Sequence, residues 1–345
     1  MDFTFLGSSG IRISNLCLGT MTFGQQNSEA EGHSQLDAAL DAGINFIDTA
    51  EMYPVPAREA TYGDTERIIG SWLKKSGRRS DIVLASKIAG PNRGLPYIRE
   101  DMRYTPDTIR LSVEKSLSRL QTDYIDLYQL HWPARKMNMF GQLGFVAQED
   151  DWEDNIFEIL QTVQKLIEEG KIRAIGLSNE APWGVMRFLE EAKQNGLPRI
   201  QSVQNSYSLL NRTYEIGLAE CSLRENVPLL AYSPLAFGRL TGKFRNGQQP
   251  AEARLTLFPN FARYNSPEAI AATEAYAEIA SGHGLTLTEL SLAFIRQQPF
   301  VGSTILGATS LAQLEENIKT LSITLDATVL REIEAVQKRF PNPAP

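Results

Sequence analysis

Four side chains have the chemistry of an acid–base site: Asp48, Tyr53 shortly after it, Lys87 and His131. A phenol, with an ordinary pKa of ~10, exchanges its proton poorly near neutrality, and a nearby ammonium eases that exchange by stabilising the phenolate. Lys87 would supply the charge. An aspartate paired with the lysine would hold it charged and aimed, while a histidine would orient a carbonyl oxygen or help relay the proton. Taken singly, each has an ordinary reading: Asp48 as a cap, Tyr53 as a rim aromatic, Lys87 as a solvated cation and His131 as a satisfied core histidine.

Their positions in the chain argue for the site. Short apolar runs occur at 16–20, 44–48, 82–87, 125–131, 172–179, 202–205, 229–233 and 303–307, each ending in polar or small residues, with room for a helix between consecutive runs. Continuous Val, Ile and Leu runs suggest strands buried on both faces, and strand–helix alternation repeated eight times predicts a (β/α)8 TIM barrel. Such a barrel places its functional groups where the strands end, so Asp48, Lys87 and His131, on strands two, three and four, should converge at one mouth with Tyr53 beside them.

The opening residues 3–14 alternate apolar and polar around a Ser-Ser-Gly turn, which predicts a β-hairpin able to plug the barrel floor. Helical patterns follow at 29–42, 62–75, 106–120, 154–169, 182–195, 212–225, 267–282 and 310–320, with extra helices at 286–298 and 327–338. Gly43, Gly170 and Gly196 mark expected C-terminal stops, and Pro106 an expected start. Segments 89–104, 133–151 and 241–265 exceed simple connections and read as lids or binding loops at the same mouth, the second equally as a tolerated insertion.

Composition narrows the function classes. The chain has 345 residues, read as one barrel domain over 1–345, with 42% hydrophobic and 22% charged residues. A net charge of −7 disfavours general nucleic-acid or anionic-membrane binding. The N-terminus lacks a signal-peptide pattern and no apolar run approaches the ~20 residues that span a bilayer, so a cytoplasmic location is expected. Cys17 and Cys221 are too few and too distant for a disulfide framework and read as fillers. Only three histidines occur, without H-x-H or C-x-x-C pairs, which leaves little material for a zinc hydrolase on this barrel; no metal is expected.

The sequence resembles the aldo-keto reductases from the N-terminal hairpin to the last helix, and closely resembles one bacterial branch of them. The resemblance rests on Gly19-Thr-Met-Thr-Phe-Gly24, Asn45-Phe-Ile-Asp-Thr-Ala-Glu-Met-Tyr53, the run from Leu120 to His131, Gly170-Lys-Ile-Arg-Ala-Ile-Gly-Leu-Ser-Asn179, and Leu306-Gly-Ala-Thr309 with Gln313, Glu316 and Asn317. It implies Tyr53 as general acid, tuned by Lys87 and Asp48, with His131 completing the tetrad.

No G-x-G-x-x-G is present, so a Rossmann fingerprint is absent, and the resemblance implies NADP(H) bound in another way. It implies cofactor contacts from Gly19, Thr20, Met21 and Asp48, a carboxamide pair in Ser178 and Asn179, a further polar contact in Gln204, and stacking on Tyr232. Ser233, Pro234, Leu235 and Gly238 would follow the pyrophosphate. Lys243 and Arg254, with Gly307, Thr309 and Gln313, would enclose the pyrophosphate and adenosine 2′-phosphate, where two cations and a helix N-terminus supply charge and oriented N–H donors. Glu316 and Asn317 would reach the adenine.

Phe23 and Trp132, beside Tyr53 and His131, and residues from 133–151 give an apolar pocket suited to aldehydes or ketones of moderate size. The expectation is an NADPH-dependent carbonyl reductase acting on a small molecule. An NADPH-binding regulatory or redox-sensing subunit with slow turnover is the alternative, and the oligomeric state stays open.

Overall fold

A computed structural model of the chain describes residues 1–91, 93–138 and 140–345. Strands β1 (Phe3–Phe5) and β2 (Arg12–Ser14) form an antiparallel pair. Eight further strands close a barrel: β3 (Leu16–Gly19), β4 (Phe46–Asp48), β5 (Val83–Ile88), β6 (Ile125–Leu130), β7 (Ile172–Ser178), β8 (Ile200–Ser206), β9 (Leu229–Tyr232) and β10 (Val301–Leu306). Neighbours are parallel throughout, and β10 completes the ring by pairing with β3.

Local chemistry sets the helix ends. Thr105 caps Pro106–Leu120 by accepting from the Thr108 N–H, and Pro106 sits where its missing N–H costs nothing. Gly196, at φ 64°, ends Pro182–Asn195 in the left-handed conformation that a side chain would disfavour. The helix expected over 212–225 is divided: Gly217 leaves helical geometry, separating a turn at Thr213–Ile216 from Leu218–Glu225. The long 241–265 segment carries short helical turns, Arg254–Leu257 among them.

The hairpin lies across one end of the barrel. Leu6, Ile11 and Ile13 pack in one buried cluster with Cys17, Phe46, Val83, Ala85, Leu127, Ala174, Leu230 and Ile305, which come from strands around the ring. Cys17 is therefore a buried filler, and burial pushes its thiol pKa up. With the floor filled, chemistry is left to the opposite end. No helix among the described residues is long and apolar enough to cross a membrane.

The plug should carry stability without touching the mouth. Leu6 is fully buried, and Leu6→Ala should cost about 2–5 kcal/mol in denaturant unfolding while ligand affinity at the mouth is unchanged.

Candidate active site

The C-terminal ends of β4, β5 and β6 bring the four predicted groups together. Asp48 ends β4, Lys87 lies near the end of β5, and His131 directly follows β6. Lys87, fully buried, donates from Nζ to Asp48 Oδ2 at 2.6 Å and to the Thr49 carbonyl at 2.8 Å. The other aspartate oxygen, Oδ1, accepts from Gln204 Nε2 at 2.8 Å and Gln129 Nε2 at 3.2 Å. Tyr53 packs over this pair, with Lys87 Nζ 5.0 Å from its ring centroid and the His131 ring 5.7 Å away, edge-on.

Burial pushes the Tyr53 hydroxyl above its ordinary pKa, against the pull of Lys87, and Asp48 adds to the rise. Burial also opposes the Lys87 ammonium, yet the Asp48 carboxylate and Tyr53 outweigh it and hold the lysine above its usual value. His131 goes the other way: burial, Lys87 and Arg93 push its imidazole well below the usual range. The site therefore holds a protonated phenol, a charged lysine and a neutral imidazole at pH 7. The His131 Nδ1 is buried without a partner. An imidazolium acid is therefore disfavoured here.

These groups stand at the base of a cavity of about 1300 Å³, large enough for a dinucleotide and a small substrate together. Gly19, Thr20, Met21, Asp48, Ser178, Asn179, Gln204, Tyr232, Ser233, Pro234, Leu235, Gly238, Lys243, Arg254, Gly307, Thr309, Gln313, Glu316 and Asn317 all line it, as do Tyr53, His131 and Trp132. Asn179 Oδ1 accepts from the Tyr232 hydroxyl at 2.6 Å and its Nδ2 donates to the His131 carbonyl at 2.9 Å, so one lone pair of Oδ1 remains for an amide. Ser178 donates its hydroxyl to the Gln204 carbonyl at 2.8 Å and keeps acceptor capacity.

The loop after β9 turns back through left-handed residues, Ser233, Ala236 and Phe237 at φ 53°, 48° and 54° and Gly238 at 92°. A Cβ on Gly238 would lie 3.1 Å from Lys243 Cε, so glycine gives the lysine its path. Beyond β10, Ser310 caps the helix Leu311–Lys319, and Gln313 Oε1 accepts from the Thr309 N–H at 3.0 Å, leaving the Gln313 amide to donate. The donor set thus fits a phosphorylated dinucleotide. Among the described residues no group of three His, Cys, Asp or Glu could hold a metal ion.

One expectation changes. Phe23 does not line the cavity: it is fully buried, packed against the helix Glu29–Asp41 where a Cβ on Gly32 would lie 3.1 Å from its ring. Gln204 lines the cavity and through Nε2 also donates to Asp48 and Gln129, so it supports the carboxylate as well. Arg254 and Lys243 line the same cavity with different neighbours. Lys243 feels the charge of Glu316, whereas Arg254 donates to the Val55 carbonyl at 3.2 Å, stacks at 4.8 Å over Phe237, and acts on Tyr53 and Tyr264. From segment 133–151, Phe140 reaches the cavity.

A second buried network escaped the sequence. Glu51 Oε1 accepts from the Ala89 N–H at 2.6 Å and Arg99 Nη1 at 2.7 Å, and Oε2 from Ser112 Oγ at 2.6 Å. Arg99 returns a bond to the Ala89 carbonyl. This ties segment 89–104 down beside the mouth, with Tyr104 donating to the Trp132 carbonyl at 2.7 Å. The available signal was a carboxylate among buried neighbours, Ala50 and Tyr53, with an arginine in the next long loop.

A sequence model described as the Aldo/keto reductase family matches residues 15–338. The chain is 51% identical to "Protein tas" of Escherichia coli (strain K12), over the full length of both. It is 33% identical to "Uncharacterized oxidoreductase YrpG" of Bacillus subtilis (strain 168), over 99% of this chain and 97% of that one. To "Norsolorinic acid reductase stcV" of Emericella nidulans it is 29% identical, over 94% of this chain and 79% of that protein.

Removing one partner of a buried ion pair strands the other. Glu51→Ala should therefore cost about 3–5 kcal/mol in denaturant unfolding and open segment 89–104 to limited proteolysis. Unchanged stability would show that the Arg99 charge finds water.

Proposed function

The chain belongs to the aldo/keto reductase family, and from that premise we propose that it reduces aldehydes and ketones to alcohols with NADPH, Tyr53 giving the proton. The observation that carries the reading is the buried Lys87–Asp48 pair beneath Tyr53 at the floor of a dinucleotide-sized cavity. When bound, the nicotinamide supplies the hydride that the protein lacks. Everything else is work for the chain's own residues. The Tyr53 hydroxyl gives its proton to the carbonyl oxygen, and the Lys87 ammonium stabilises the phenolate left behind. Asp48, held by Gln204 and Gln129, keeps the lysine charged and aimed. Neutral His131 orients the carbonyl oxygen, Tyr232 offers a ring face, and Ser178 with Asn179 offers amide partners.

NADPH is preferred over NADH in this reading because of Lys243, the Gln313 amide and the capped start of Leu311–Lys319, which together suit a phosphomonoester. Arg254, whose charge is felt by Tyr53, adds positive potential to the same cavity.

Tyr53→Phe keeps the ring and loses the proton, so kcat for an aldehyde should fall ~10²–10⁴-fold with the NADPH Kd nearly intact. Near-normal turnover would sink the assignment. The pH profile has a definite sign: a phenol raised above its ordinary pKa stays protonated through neutrality. Wild-type reduction should then be flat from about pH 6 to 9, while alcohol oxidation, which needs the phenolate, should climb only in alkali. Rates measured in both directions check this.

Lys243→Ala should weaken NADPH about ten- to a hundredfold and NADH far less, as expected for losing one charge-assisted contact. Equal losses for both dinucleotides, read by fluorescence titration, would show that Lys243 does not select the phosphate.

A further inference from the structure

The rim beside the tetrad is a ladder of rings and guanidiniums. The Arg93 guanidinium lies 5.7 Å from the Trp132 ring centroid and 5.5 Å from that of Phe140. The Arg263 guanidinium lies 4.9 Å from the Phe140 ring centroid and 4.7 Å from that of Tyr264. Trp132 directly follows His131, with ring centroids 4.9 Å apart, so the ladder begins next to the reacting groups.

The two cations differ in what remains to them. Arg263 donates to the Tyr264 hydroxyl at 2.7 Å and to the Pro345 carbonyl at 3.4 Å. Arg93, exposed at the rim, shares with Arg263 the lack of an ion pair but has no hydrogen bond among the described residues either, and desolvation lowers its pKa without a carboxylate to offset it. The cavity-lining acids are Asp48, which is neutralised by Lys87, with Glu252 and Glu316. In a chain of net charge −7, an unpaired arginine at this rim is not a by-product of general basicity.

Its placement is also built. Trp132 Nε1 donates to the Pro91 carbonyl at 2.7 Å, and the Glu51–Arg99 pair anchors the far side of the same segment. A guanidinium stacked on ring faces keeps its N–H edge in the plane between them, where a carboxylate can accept two parallel bonds.

We infer that Arg93 receives a carboxylate, so that the favoured substrates are aldehydes or ketones carrying a carboxylate on a short flat spacer. The inference rests on the reductase reading, and its class of substrate is an aryl or similarly planar oxo-acid whose ring lies along Trp132 while its carboxylate reaches the edge of Arg93.

The test compares 4-carboxybenzaldehyde with its neutral methyl ester, in wild type, Arg93→Met and Arg93→Lys. Turnover with NADPH is measured beside calorimetric binding to protein saturated with NADP, which fills the phosphate-binding part of the cavity first. The acid should be favoured about ten- to a hundredfold, mainly through KM and Kd; Arg93→Met should erase the ratio and Arg93→Lys should keep part of it. No preference in wild type, or one that survives Arg93→Met, overturns the inference. If neither aldehyde turns over but an Arg93-dependent preference appears in binding, the carboxylate site stands and the reductase reading falls; no turnover and no preference sinks both.

Discussion

An ammonium inside a barrel must be paired, and the arrangement of the mouth follows from how Lys87 meets that demand. Moving an isolated charge from water to such a place costs far more than a typical domain's whole stability margin. Asp48 answers one donor of Lys87 and the Thr49 carbonyl another. The carboxylate then needs its second oxygen satisfied, and Gln204 and Gln129 do that from β8 and β6. One buried cation thus fixes side chains on four strands. Tyr53 inherits a neighbour that is both charged and immobile, which is what a phenol requires if its proton is to leave and return without solvent rearrangement.

The same logic repeats one layer out. Glu51 and Arg99 pair in the interior, where Glu51 also accepts from Ala89 and Ser112 and Arg99 also donates to the Ala89 carbonyl. Where the inner pair holds a charge beneath Tyr53, the outer one sets the position of a loop. Trp132 belongs to both layers, since its carbonyl accepts from Tyr104 and its indole donates to Pro91. A binding segment built on such anchors pays little ordering entropy when a ligand arrives.

Much of this was legible in the sequence, and the reasons are physical. Eight runs of buried aliphatics separated by helical patterns leave few architectures, and the strands form within a few residues of those runs. Asp48, Lys87 and His131 fall at strand ends, where backbone direction alone decides what they face. Phe23 misled because an aromatic in a loop after a strand has two places to go, and only packing against Gly32 decides for the core. The contacts of Arg254 with Val55 and Phe237 were not legible either, because a long side chain on a long loop has a reach comparable to the cavity. Glu51 and Arg99 were invisible as a pair because their link is through space, between segments 48 residues apart.

The floor hairpin has a consequence for how the chain comes to be folded. Its buried residues precede every barrel strand in the chain, yet their cluster includes Ile305, and β3 finds its second neighbour only in β10. Until some three hundred residues have been made, Leu6 and Ile13 have no complete cavity to fill and one edge of β3 has no mate. Closing so long a loop is an entropic step that local contacts cannot offset in advance. The barrel must therefore wait, as an open sheet with an uncovered apolar end, for its last strand, and this interval is when the nascent protein is most exposed to association with other chains.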